Sequence, residues 1–163
     1  MNDAHLSAQL AVIEEMYGDL CALVRPLDAV CLNWTPPMPE TNSIAAMIVH
    51  TVGSTHSWLS RALDEPYVRD RDAEFHARGD AESSLTLLAN SRERIRTQFA
   101  RLVTVDPGMI RQVRRLHGAD EVPLTVAWCI AHAVIHMGEH WGQMQLNRQL
   151  YAADRKMRNY YEP

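Results

Sequence analysis

The segment HAVIHMGEHWGQ, residues 132–143, holds three of the chain's eight histidines at intervals of four positions. On an α-helix, a step of four residues advances about 40° around the axis and about 6 Å along it. Side chains four positions apart are neighbours on one face, so His132, His136 and His140 form a single stripe. Apolar residues lie between them, and we predict a helix whose histidine face packs inside a bundle.

This segment belongs to the last of four long stretches in which apolar residues recur at helical spacing. The four stretches are Asp3 to about Val24, Ser43 to about Leu63, Asp80 to about Val103, and Thr125 to about Leu150. The last three begin with Ser, Asp or Thr, which are residue types that cap helix N-termini, and Asn42 is an equally suitable cap for the second.

The connections between these helices differ in length and composition. Residues 35–42, TPPMPETN, form a proline-rich loop between the first two helices. Residues 64–79 are polar and lack any period, and a connection of this length usually means a crossover or a functional loop. Residues 109–124 predict either a short extended piece or a helical turn, and no convincing strand pair is evident. We therefore predict an all-α four-helix bundle with a long connection between helices 2 and 3, as one domain over residues 1–163.

Composition narrows the classes of function. The chain has 163 residues and a formal net charge of -4, which argues against a general nucleic-acid binder. No apolar run approaches the roughly 20 residues that a membrane span needs, and the first residues do not read as a secretion signal. The three cysteines are too few for a disulfide framework. We expect a cytoplasmic protein that binds neither nucleic acid nor membrane.

The histidine stripe is suited to a metal ion. Two imidazoles at this spacing can converge on one divalent ion at about 2.0 to 2.1 Å. Three in a row usually cannot, because the outer two lie about 12 Å apart along the axis. A single histidine on a helix is more often packed or solvated, but the pair His136 and His140 favours metal binding, since burying several imidazoles without partners is costly.

A third ligand has to come from another helix, and the remaining histidines supply the candidates. His50 is the best, because it lies in the middle of the apolar second helix. His56 lies about 120° away around that helix and cannot readily face the same ion. The polar segments that contain His76 and His117 favour solvated side chains, and His5 is a further candidate.

The string H-M-G-E-H also matches the H-x-x-E-H pattern of a zinc protease, in which Glu139 would be the general base. Such enzymes need a further ligand, commonly a glutamate well downstream. The short stretch that follows His140 has only Glu162, in the terminal tail. The protease is therefore a minor alternative, and Glu139 is equally consistent with a residue beside the ligands or on the surface.

Two stretches resemble the DinB-like superfamily of four-helix metalloproteins, which includes bacterial low-molecular-weight-thiol transferases. They are LNWTPPMPETNSIAAMIVHTVGSTHSWL, residues 32–59, and AHAVIHMGEHWGQMQLNRQL, residues 131–150. The resemblance implies nickel or zinc held by one histidine of the second helix and two of the fourth, which are His50, His136 and His140 here. It also implies a homodimer.

Three hypotheses of function follow. The first is a metal-dependent transferase, which lowers the pKa of a small thiol and adds the thiolate to a small electrophile. The second is a small metallohydrolase with Glu139 as a possible base, and the third is a non-catalytic metal-binding bundle of the stress response. His132 and Gln143 are possible pocket residues beside the ligands, Gln143 as a group that orients a bound molecule. The sequence assigns no catalytic residue.

Overall fold

A computed structural model describes residues 3–114 and 120–161, and the side chains of residues 4–114 and 120–155. His117 and Glu162 lie outside the described residues. The described part contains six helices and two strands, which are α1 (Asp3–Val24), α2 (Ala29–Asn33), α3 (Ile44–Leu63), α4 (Arg71–Phe75), α5 (Ala81–Leu102), β1 (Ile110–Arg114), β2 (Glu121–Thr125) and α6 (Val126–Tyr161).

Three of the four long helices, α3, α5 and α6, begin close to the predicted positions because side chains cap them. Ser43 Oγ accepts a hydrogen bond from the backbone N–H of Ala46, at 3.2 Å, and starts α3. Asp80 and Ser83 form a reciprocal capping box at the start of α5. Thr125 Oγ1 accepts from the N–H of Trp128 at 3.1 Å. The helix that follows Thr125 continues to Tyr161, well beyond the predicted end near Leu150.

The bundle is built around α3, which contacts α5 and α6, while α1 contacts the same two helices from the other side. Large apolar side chains from all four long helices fill the interior, including Ile13, Ile48, Leu88 and Ile130. Burial of these faces is the main stabilising contribution to such a fold. The prediction of an all-α fold is confirmed.

A short β-hairpin precedes α6, and it corrects the prediction that the chain contains no strand pair. Strands β1 and β2 pair antiparallel, with Ile110 opposite Thr125 and Val113 opposite Val122. Val113 is buried, while its neighbours along β1 are more exposed. A five-residue strand with one buried side chain gives a weak alternating signal, and Pro123 in the second strand obscures it further.

The long connection between α3 and α5 is folded onto the bundle. Asp70 accepts a hydrogen bond from the N–H of Ala73, at 2.9 Å, and starts the short helix α4. This helix contacts α3, and its residue Glu74 is buried. The connection therefore carries side chains into the interior beside the middle of α3.

A buried polar chain ties α1, α3 and α5 together. Tyr17 donates to Ser91, Ser91 donates to His56 Nε2 at 2.8 Å, and His56 Nδ1–H donates to Gln98 Oε1 at 2.9 Å. Gln98 in turn donates to Ser60 Oγ at 3.2 Å. Since each side chain of this buried polar chain has a hydrogen-bond partner, the network fixes the mutual positions of α1, α3 and α5.

None of the helices, in the part of the chain that the structure describes, has an apolar stretch that would cross a membrane. Four expectations stay predictions, which are the single domain, the homodimer, the cytoplasmic location and the absence of nucleic-acid binding.

Candidate metal centre

His136 and His140 lie one turn apart on α6, and their rings meet edge to face. Their Nε2 atoms are 3.2 Å apart, and their ring centroids are 4.3 Å apart. A tetrahedral ion with bonds of 2.0 to 2.1 Å separates two ligand nitrogens by about 3.3 Å. The spacing of this pair therefore fits two ligands of one ion.

His50, from the middle of α3, meets this pair across the bundle. Its side chain is buried, and its ring centroid lies 4.8 Å from that of His140 and 5.3 Å from that of His136. One ring nitrogen from each of the three residues lies within 4.8 Å of the others. The structure thus brings the three predicted ligands together, and no fourth His, Cys, Asp or Glu of the described residues joins them.

Glu74 orients the ring of His50. Its Oε2 lies 3.1 Å from His50 Nδ1, and its two carboxylate oxygens accept from Arg69 at 2.6 and 2.7 Å. A carboxylate only accepts, so the ring proton sits on Nδ1 and points to Glu74. Arg69 Nη2 lies 3.0 Å from the same Nδ1 but directs its N–H groups to Glu74 Oε2 and to the carbonyl of His50. The Nε2 atom of His50 is left with its lone pair free to bind an ion.

Gly53 makes this arrangement possible. It lies three residues after His50 on α3, and a Cβ atom at this position would overlap the carboxylate of Glu74. The glycine in the middle of a helix is destabilising by itself. Here it leaves the space in which the Glu74 carboxylate reaches Arg69 and His50.

The other two rings are held differently. Gln143 Oε1 accepts from His140 Nδ1–H at 2.7 Å, which leaves the lone pair of His140 on Nε2. His136 Nδ1 is buried and has no hydrogen-bond partner among the described residues. Hydrogen bonding therefore does not fix the tautomer of His136, and its Nε2 is free to act as a ligand.

All three histidines are held in the neutral form. Burial, reinforced by the positive charge of Arg69, lowers the pKa of His50 to about 3. Burial lowers the pKa of His136 to about 3 as well, and it lowers the pKa of His140. Neutral imidazole is the form that binds a metal ion, so the cluster does not have to lose protons at neutral pH.

The cluster opens onto a cavity of about 360 Å³. Its walls come from the loop before α3, from α3, from α4 and from α6, and they mix apolar side chains such as Met47 and Leu150 with polar ones such as Gln143. A cavity of this size and composition suits a small molecule.

Two residues of the long connection complete the wall beside His50. The ring of Phe75 stacks on the ring of His50, with centroids 4.4 Å apart. The guanidinium of Arg71 lies over Phe75, 5.0 Å from the ring centroid. Sequence reasoning missed both residues, as it missed Arg69 and Glu74. The one available signal was the unusual length of the polar connection.

His132 and Glu139 do not line the cavity. The ring of His132 lies 5.7 Å from that of His136, but it stacks on Trp128 at 4.8 Å and contacts Trp58 at 4.4 Å. Glu139 is exposed on the outer face of α6. Of the three residues predicted beside the ligands, only Gln143 faces the cavity.

The remaining described histidines lie away from the cluster. His56 belongs to the buried polar chain, as expected from its position around α3. His76 is exposed and donates through Nδ1–H to the carbonyl of Asp72 at 2.7 Å. His5 is exposed near the start of α1.

The comparisons with known proteins bear on the fold. A sequence model described as the DinB superfamily matches residues 13–144. Among solved structures, the chain is similar to one titled "Crystal structure of the conserved protein of locus from Enterococcus faecalis", with a TM-score of 0.64 and 14% sequence identity. The match covers 88% of this chain and 95% of that one. No curated protein matches the chain.

Proposed function

The chain belongs to the DinB superfamily, and from this premise we propose that it is a metal-dependent transferase for a small thiol. His50, His136 and His140 would hold one divalent ion. The thiol would add to a small electrophile within the cavity of about 360 Å³.

One observation carries the proposal, which is that the three-histidine cluster forms part of the cavity wall. Structural zinc sites are usually closed by four protein ligands, whereas catalytic sites have three and keep a position open. Three ligands from the described residues, next to a cavity sized for a small molecule, match the second pattern. A site that only joined α3 to α6 would need no cavity.

The donor set fits nickel or zinc. Imidazole nitrogen suits both ions, and three neutral rings leave the ion its full charge. The 3.2 Å separation of His136 Nε2 and His140 Nε2 and the neutral state of both rings support the same assignment. Elemental analysis of the purified protein distinguishes nickel from zinc.

When bound, the divalent ion would lower the pKa of a thiol and so supply a nucleophile at neutral pH. The residues of the chain orient the metal ligands and line the cavity. Glu74 orients His50, and Gln143 orients His140, each by accepting a hydrogen bond from the Nδ1–H of the histidine ring. Apolar side chains of the wall, such as Met47 and Phe75, line the space beside the reacting groups. In the overall addition the S–H bond breaks, a C–S bond forms, and the proton ends on the acceptor.

The structure offers less support for a hydrolase. The base named for that alternative, Glu139, is exposed and does not line the cavity. Glu74 is already engaged by Arg69 and His50.

The test is consumption of free thiol by protein loaded with nickel or zinc. A panel of low-molecular-weight thiols is incubated with a model electrophile that accepts addition, such as an α,β-unsaturated ketone, and the remaining thiol is titrated. We expect consumption above background in wild type, loss of it in His136→Ala, and no loss in the exposed control His76→Ala. Loaded protein that consumes none of the thiols above background, whether or not it hydrolyses simple esters, would contradict the transferase.

A further inference from the structure

Arg71 places a positive charge in the wall of the cavity beside the histidine cluster. It is half-buried at the start of α4, and it lines the same cavity as His50, His136 and His140. Its guanidinium lies 5.0 Å from the centroid of Phe75, whose ring stacks on His50. The charge is thus held one aromatic ring away from a proposed ligand.

The charge of Arg71 has no acidic partner among the described residues. Neither an ion pair nor a hydrogen bond joins Arg71 to any described residue. Its guanidinium makes a cation–π contact with the face of Phe75. Arg69 is different, because Glu74 accepts from it twice, at 2.6 and 2.7 Å. Two arginines therefore enter the site from one connection, and only one of them is neutralised by a described carboxylate.

One carboxylate does line the same cavity. Glu40 belongs to the loop before α3, is exposed, and makes no ion pair with Arg71. Asp70 and Asp72 flank Arg71 in sequence, but both are exposed and neither lines the cavity. The acidic groups nearby leave the guanidinium available to a bound molecule.

We propose that Arg71 binds the carboxylate of the substrate, which makes the substrate class a small thiol that carries a carboxylate. The inference rests on the proposed function, since the sulfur of the same molecule has to reach the histidine cluster. A planar guanidinium matches a carboxylate through two parallel hydrogen bonds, and such charge-assisted bonds are stronger than neutral ones. The stack on Phe75 reduces the freedom that Arg71 would lose on binding.

The test compares two thiols of equal length on zinc-loaded, full-length protein. The probes are 3-mercaptopropionate, which has a carboxylate, and 3-mercaptopropan-1-ol, which does not. We expect wild type to bind the acid about 10- to 100-fold more tightly, the range for a hydrogen bond to a charged group. In Arg71→Gln the preference should fall to within about threefold, with the zinc content unchanged.

The matched control is Arg78→Gln, which removes an exposed arginine of the same connection that does not line this cavity. It should keep the wild-type preference. Arg71→Lys should restore part of it, because the charge returns without the planar fork.

The outcomes separate the two proposals. A preference for the acid that survives in Arg71→Gln, or equal binding of both thiols to wild type, overturns the role of Arg71 and leaves the thiol site intact. Protein that retains no zinc, or loaded protein that binds neither thiol, overturns the proposed function and the role of Arg71 with it.

Discussion

His50 offers one nitrogen to the cluster because Glu74 holds the other. Helical spacing predicted that His136 and His140 are neighbours, whereas His50 was predicted from its place in the apolar second helix and from the resemblance to the superfamily. The sequence did not predict Glu74, because that contact depends on how a connection without periodicity packs against α3. Gly53, a residue type that destabilises the middle of a helix, makes room for the carboxylate.

Glu74→Gln should weaken metal binding about 10- to 100-fold, the usual effect of removing a group that orients a metal-binding histidine. The amide no longer fixes the proton on His50 Nδ1, and it leaves Arg69 without its carboxylate. The measurement is the dissociation constant for zinc, with circular dichroism to check the fold. Asp72→Asn, an exposed carboxylate two residues away, is the control. Equal affinities in wild type and Glu74→Gln would refute the orienting role.

The metal-free protein should lose stability as the pH falls from about 7.5 to about 5.5. His50 and His136 have pKa values of about 3 in the folded chain, against an ordinary value of 6.5. Between these values the unfolded chain binds protons that the folded chain does not, so acid favours unfolding. Each histidine contributes on the order of 1 kcal/mol over this range.

The midpoint of urea unfolding at the two pH values measures this effect. His136→Gln, which carries no titrating ring, should show a smaller loss than wild type. A loss of equal size in both proteins, or a gain in stability at the lower pH, would show that burial does not depress these pKa values.

At the scale of elements, the long helices follow from local signals that the sequence displays. Ser43 and Asp80 cap the helices that they were predicted to start. The short elements α2, α4, β1 and β2 have five residues each, too few for a period to be read. Local caps such as Asp70 mark where the short helices begin, but contacts with the bundle and pairing between the two strands complete these elements, and a short local sequence does not encode those contacts.

The buried polar chain offers a prediction about how the helices are held together. Ser91→Ala removes the link between Tyr17 on α1 and His56 on α3, and leaves two buried polar groups without a partner. The free energy of unfolding should fall by about 1 to 3 kcal/mol. Chemical denaturation measures it, and Ser7→Ala, at an exposed position of α1, should stay within about 0.5 kcal/mol of wild type. A Ser91→Ala protein as stable as wild type would mean that the buried polar chain contributes little to the free energy of unfolding.

At the scale of the molecule, the bundle places a long connection against its central helix, and the cavity forms where that connection meets α3 and α6. The resemblance in sequence was enough to predict the superfamily and the order of the long helices. The substrate could not be predicted, because Arg71 and Phe75 reach the cavity only through the folded connection.

The central claim is that His50, His136 and His140 hold one divalent ion, and elemental analysis of the purified, dialysed protein tests it most directly. We predict about one nickel or zinc ion per chain, loss of most of it in His50→Ala, His136→Ala and His140→Ala, and full retention in the exposed control His76→Ala. Wild-type protein that takes up no metal, or folded His50→Ala and His136→Ala proteins with unchanged metal content, would contradict the claim.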